Sequence, residues 1–208
     1  MSATAPGPAS PAAADGKLMF PVMLDVTAVP IMVIGGAGIL PRVTALDQHG
    51  ATGIHIFSPS PTTELKAAAG ARLQAHWPDQ PDFARIRPKL VFIDDVDDVL
   101  AAALRGFARD VGALVHTQDR IPLCDFHLPA RLRRGHLLVT VSTDGAAAGL
   151  ARHIRDHLEA HVFGPEWAAR VEEVARARQE WKRQGLTMAG LGKAVADLVA
   201  ARGWLRKP

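Results

Sequence analysis

Residues 29–60 read VPIMVIGGAGILPRVTALDQHGATGIHIFSPS. The run PIMVIGG is apolar and β-branched and is ended by glycines, which reads as a buried strand. LPRVTALDQHG reads as a helix, with Pro41 near its first turn and Gly50 near its C-cap. GIHIFSP is a second strand. Strand, glycine turn, helix and strand is the order of a dinucleotide-binding βαβ unit, in which glycines let the backbone approach a pyrophosphate at a helix N-terminus. The glycine pattern is irregular, and two registers compete. One starts at Gly35 and runs Gly-Gly-Ala-Gly-Ile-Leu, placing Ala37 nearest the pyrophosphate. The other starts at Gly36 and runs Gly-Ala-Gly-Ile-Leu-Pro, placing Pro41 where the last glycine belongs. The acidic residue expected about 20 positions on, to bond a ribose hydroxyl, is missing, and Ser58 and Ser60 stand there instead. Either backbone amides and hydroxyls hold a nucleotide with weak discrimination between NAD and NADP, or the fold survives with a decayed site.

The pattern continues outward. SPTTELKAAAGARL carries a helix that starts at a Ser/Thr cap, KLVFIDD is a third strand, and VDDVLAAALRGFARDVG is a helix. ALVHTQD and HLLVTVST are a fourth and a fifth strand. The alternation predicts an α/β fold, a Rossmann-like and mainly parallel sheet with helices on both faces. From GAAAGLARHIRDHLEAHV onward the pattern is almost wholly helical. The expected division is a disordered tail over 1–17, rich in Ala, Pro, Ser and Gly, and an NAD-binding domain over 18–112. A strand-rich active-site and dimerisation segment over 113–145 and a helical region over 146–208 follow.

Composition bounds the function. The chain has 208 residues, 48% hydrophobic and 22% charged, with a net charge of +3. Mild basicity, concentrated in ARLRRG and RARQEWKRQG, favours an acidic ligand such as a polycarboxylate or phosphate and is too weak to argue for nucleic acid. No apolar run approaches the ~20 residues of a membrane span. One cysteine, Cys124, cannot form an internal disulfide, which suits a reducing cytoplasm, and it reads as a small buried apolar residue.

The discriminating segment lies at 113–159, ALVHTQDRIPLCDFHLPARLRRGHLLVTVSTDGAAAGLARHIRDHLE. Its LCDFHLPA at 123–130, RRG at 133–135, VST at 141–143 and LARHIR at 150–155 strongly resemble the precorrin-2 dehydrogenase family. That family includes free-standing dehydrogenases and the N-terminal half of siroheme synthase. The resemblance covers about residues 18–180, including the lead-in FPVMLDV and the Ser-Pro that ends the second strand. It implies oxidation of precorrin-2 to sirohydrochlorin with NAD, ferrochelation in some members, and a homodimer built with the helical C-terminal region. It implies that Asp119 is the catalytic acid/base. It favours the register from Gly35, so that Gly35, Gly36, Ala37, Gly38 and Ile39, with Ser58, Ser60 and Pro61, form the cofactor site. The alternative function is a tetrapyrrole-binding homologue that has lost NAD.

Each candidate has a plainer reading. Asp119, at the C-terminal end of a strand, can take a proton from substrate or simply form a turn before RIP. His116 stands where the family has Asn and is either a substrate-positioning group or a satisfied strand-end histidine. Arg133 and Arg134 can fork onto substrate carboxylates or sit in a solvated turn. Thr143 and Gly145 complete the expected substrate side, although STDGAAAG departs from the family's Ser-Thr-Gly-Gly-Lys-Ser-Pro. Asp125 and Phe126 read as structural. The acids of FIDDVDD read as a helix N-terminus enriched in Asp rather than a metal site. His153, His157 and His161 share one helix face, with no pattern that completes a zinc site, so they read as a solvated or dimer-facing stripe.

Overall fold

A computed structural model describes residues 18–205, so the expected tail over 1–17 lies outside the described residues. The described residues form two compact units. One takes the chain as far as Leu128 and regains it for Asp144–Ala146, and the other takes Pro129–Thr143 and the chain from Ala147.

The first unit is built on a five-stranded parallel sheet. Its strands are β1 (Ile31–Gly35), β2 (Ile54–Phe57), β3 (Leu73–Gln74), β4 (Leu90–Asp94) and β5 (Leu114–Thr117), in the order β3-β2-β1-β4-β5. β1 is buried throughout, which explains why it reads as an unbroken apolar run. α1 (Leu40–Gln48) and α2 (Thr63–Ala69) place Val43, Leu46, Leu65 and Ala69 in the core on one face, against Ile31, Val33, Ile56 and Phe92. α3 (Gln80–Ile86) and α4 (Asp98–Asp110) place Phe83, Ala101, Leu104 and Ala108 on the other face, against Met32, Ile34, Val91 and Val115. The fold is therefore Rossmann-like, with helices on both faces.

The expected capping is present. Thr62 accepts a hydrogen bond from the Leu65 amide at 3.1 Å to start α2, and Pro41 lies in the first turn of α1. The expected division at 112/113 falls just before β5, and β5 pairs with β4 in the same sheet.

The strand expected from HLLVTVST does not join that sheet. It forms β7 (Leu137–Val141), antiparallel to β6 (Ala130–Arg134), as a separate hairpin in the second unit. Arg134 pairs with Leu137 across a two-residue turn, where Gly135 takes φ +56°. The helices α5 (Ala148–His161), α6 (Trp167–Arg183) and α7 (Met188–Arg202) follow. No helix among the described residues is long and apolar enough to cross a membrane.

Candidate functional site

The strand order creates a switch point. The chain leaves β1 towards β2 and leaves β4 towards β5, so the carboxyl ends of β1 and β4 flank a crevice. Gly35 ends β1 directly beside Asp94, and a Cβ there would collide with the Asp94 carbonyl oxygen. A Cβ on Gly36 would collide with the Asp95 carboxylate. The chain then makes a 3-10 turn over Ala37–Ile39 and enters α1. Ala37 and Gly38 are exposed, whereas Ile39 is buried in the core. The Gly38 amide donates to Asp95 Oδ2 over a long 3.4 Å. An amide already turned towards a carboxylate oxygen is presented to an oxyanion, so this loop suits a phosphate oxygen of a dinucleotide.

At the end of β2 the proposed hydroxyls separate. Ser58 is fully buried and its Oγ has no hydrogen-bond partner among the described residues. Ser60 is exposed and Pro61 half-buried.

Asp119 follows β5 in the left-handed region, at φ +57°, and so does Asp95 after β4. Both line a cleft of about 740 Å³ together with Gly38, Asp98, Gln118 and Arg120. The structure thus brings the glycine loop and Asp119 to one opening at the carboxyl edge of the sheet. Non-glycine residues held at positive φ concentrate at working sites.

The four acids of FIDDVDD divide their roles. Asp94 is buried and meets Arg42 Nε of α1 at 3.1 Å, while its other carboxylate oxygen is buried without a partner among the described residues. The Arg42 guanidinium also lies 4.9 Å from the Phe92 ring centroid. Asp97 caps α4 by accepting from the Leu100 amide at 2.8 Å. Asp98 meets Arg120 at 2.5 Å. Among the described residues no group of three or more His, Cys, Asp or Glu is placed to hold a metal.

His116 is half-buried, and the Phe126 carbonyl accepts from its Nδ1 at 3.1 Å. Burial holds its imidazole below the ordinary histidine range against the opposing effect of that hydrogen bond. Its ring packs against Phe92 and Phe126. Asp125 accepts from the Val115 amide at 3.1 Å and from Arg109 at 3.0 Å, tying the segment after β5 to the sheet, as a structural residue should. Cys124 is buried.

In the second unit, Arg134 is committed internally, donating to the Phe163 carbonyl at 3.1 Å and to Glu159 at 3.0 Å. Arg133 is exposed. The Thr143 hydroxyl accepts from the Ala147 amide at 3.0 Å, which orders the entry to α5. Gly145 belongs to the first unit, at φ +85° and close to Ile121 and His127. Sequence reading missed Arg42. Its partner Asp94 is 52 positions away, and no local pattern announces such a pair.

Comparison with known proteins bears on the family and the fold. A family described as "Putative NAD(P)-binding" matches residues 22–130. The siroheme synthase of Nitrosomonas europaea is 30% identical over 166 residues, covering 76% of this chain and 35% of that protein. Siroheme synthase 1 of Serratia proteamaculans is 30% identical over 168 residues, covering 79% and 34%. This chain spans about a third of the length of these curated relatives. Among solved structures, that of SirC, a precorrin-2 dehydrogenase, superposes with a TM-score of 0.64 at 19% identity, covering 90% of this chain and 92% of that one. At that identity the likeness establishes the fold.

Proposed function

The chain belongs to the precorrin-2 dehydrogenase and siroheme synthase family, with its NAD(P)-binding part at 22–130, and on that premise we propose that it oxidises precorrin-2 to sirohydrochlorin with NAD. One observation carries the reading: the glycine loop and Asp119 open into the same cleft. A bound nicotinamide supplies the hydride acceptor. Gly38, with Gly36 making room beside it, presents the backbone that would receive the phosphates, and Ser60 offers an exposed hydroxyl at the end of β2. Asp119 is exposed in the cleft and accepts the proton that the tetrapyrrole loses as its hydride departs. Arg133 offers an exposed fork for a substrate carboxylate, and the chain works as a homodimer, which light scattering reads directly.

Incubating the protein with precorrin-2 and NAD should give the absorbance of sirohydrochlorin. Asp119→Ala should lower turnover by about 10²–10⁴-fold, the range of a lost general base, with cofactor affinity nearly unchanged. A fully active variant would remove Asp119 from its role, and no conversion with either NAD or NADP would overturn the dehydrogenase reading. Adding ferrous iron to the product tests ferrochelation, the extension of this reading.

The Asp95 carboxylate over the glycine loop favours a second reading, a tetrapyrrole-binding homologue without cofactor. Calorimetry separates the two. Tight sirohydrochlorin binding with no NAD or NADP binding supports the second, and clear cofactor binding supports the first.

A further inference from the structure

We propose that Asp95 is an internal anion that competes with the cofactor's phosphate for the glycine loop and thereby sets cofactor affinity. The inference rests on the nicotinamide reading above.

The carboxylate reaches from the end of β4 to the loop after β1, where Oδ2 accepts from the Gly38 amide at 3.4 Å. The same oxygen fills the space that Gly36, lacking a Cβ, leaves open. That space and that amide are what a Rossmann loop offers a diphosphate. A carboxylate oxygen and a phosphate oxygen are both anionic acceptors. They cannot share one N–H in one volume, and their like charges repel at close range.

The contact is reversible by construction. Asp95 is exposed, and its only hydrogen bond among the described residues is the long one to Gly38. Its neighbours in the acidic run have firmer partners, since Asp94 meets Arg42 at 3.1 Å and Asp98 meets Arg120 at 2.5 Å. The backbone at Asp95, φ +57°, is one that Asp and Asn tolerate better than other side chains. Asp95 is therefore a displaceable occupant, and the cofactor binds only as its carboxylate swings out towards solvent.

The test is calorimetric titration of NAD and NADP into the full chain as wild type, Asp95→Asn and Asp95→Gly. Asn keeps an acceptor for Gly38 and drops the charge. Gly drops both and suits the positive φ, so Asn isolates the charge, Gly removes charge and acceptor together, and a folding defect in one would leave the other readable. Asp95→Gly is expected to bind the preferred cofactor about tenfold tighter, the lower end of what a hydrogen bond to a charged group is worth. Asp95→Asn should gain less. Asp110→Asn, which removes an exposed charge at the far end of α4, should leave the dissociation constant unchanged. Binding that appears only in the Asp95 variants also supports the proposal. Equal or weaker binding in both variants overturns it and leaves the nicotinamide reading standing, as does an equal gain in Asp110→Asn. Absence of NAD and NADP binding in every form overturns both.

Discussion

Beneath the glycine loop, Arg42 and Asp94 join α1 to β4 through a pair whose side chains are 20% and 3% exposed. A carboxylate this buried is costly when left alone, and one of its oxygens already lacks a partner among the described residues. Arg42→Ala should cost about 3 kcal/mol, read as a lower denaturant midpoint. Replacing both members by apolar residues, Arg42→Met with Asp94→Leu, should recover more than half of that loss, because the desolvation penalty disappears with the charge. A double variant as unstable as the single one would mean that the pair itself favours the fold. His116, on the neighbouring strand, makes a second prediction. Its folded pKa lies below the ordinary 6.5, first because of burial. A depressed folded pKa gives stability that is present above the unfolded value and lost as pH falls through it. The melting temperature should therefore drop as pH falls below about 6.5, and His116→Asn should flatten the drop. His55 is shifted in the same direction, chiefly by burial, and adds to the slope. An unchanged slope in His116→Asn would place the acid sensitivity elsewhere.

At the scale of elements, α4 shows what a local pattern can carry. Its apolar stripe, Ala101, Leu104 and Ala108, has helical spacing, and Asp97 accepts from the Leu100 amide at the N-cap. Asp97→Ala should cost about 1 kcal/mol of stability, whereas Asp97→Ser should cost a few tenths, a contrast that equilibrium unfolding can resolve. Equal losses would show that packing alone holds this end. The four strands β1, β2, β4 and β5 and the helices α1, α2 and α4 follow from spacing and terminal residues, so they were legible in the sequence, whereas the seven-residue α3 was too short to show a period. The destination of β7 was not. Its alternation announces a strand, but its partner β6 is ARLRR, three arginines in five residues, which hides the pairing that the Gly135–His136 turn imposes. β3, two residues long, falls below any periodicity. The site was legible in the same uneven way. Asp119, two residues past β5, is singled out by the family resemblance of its local segment, whereas the contact of Asp95 with Gly38 spans 57 positions and depends on which strands become neighbours.

At the scale of the whole molecule, the sheet and the C-terminal helices belong to different compact units. A ligand held by the glycine loop and the cleft stabilises the unit that contains them, by RT ln(1 + [L]/Kd), or about 2.7 kcal/mol at one hundred times Kd. For a sheet unit of this size that is a rise on the order of 10 °C in melting temperature. The indoles allow the units to be followed separately. Trp77 lies in the first unit, and Trp167, Trp181 and Trp204 lie in the second. In Trp77→Phe, fluorescence reports the helical unit alone, while calorimetry reports both. Saturating NAD or NADP should raise the calorimetric transition that melts the parallel sheet, and at equal subsaturating cofactor the rise should be larger in Asp95→Gly than in wild type, because the shift follows affinity. A sheet transition that stays fixed at saturating levels of both cofactors would count against a nicotinamide site at this switch point, whatever the fluorescence of the helical unit does.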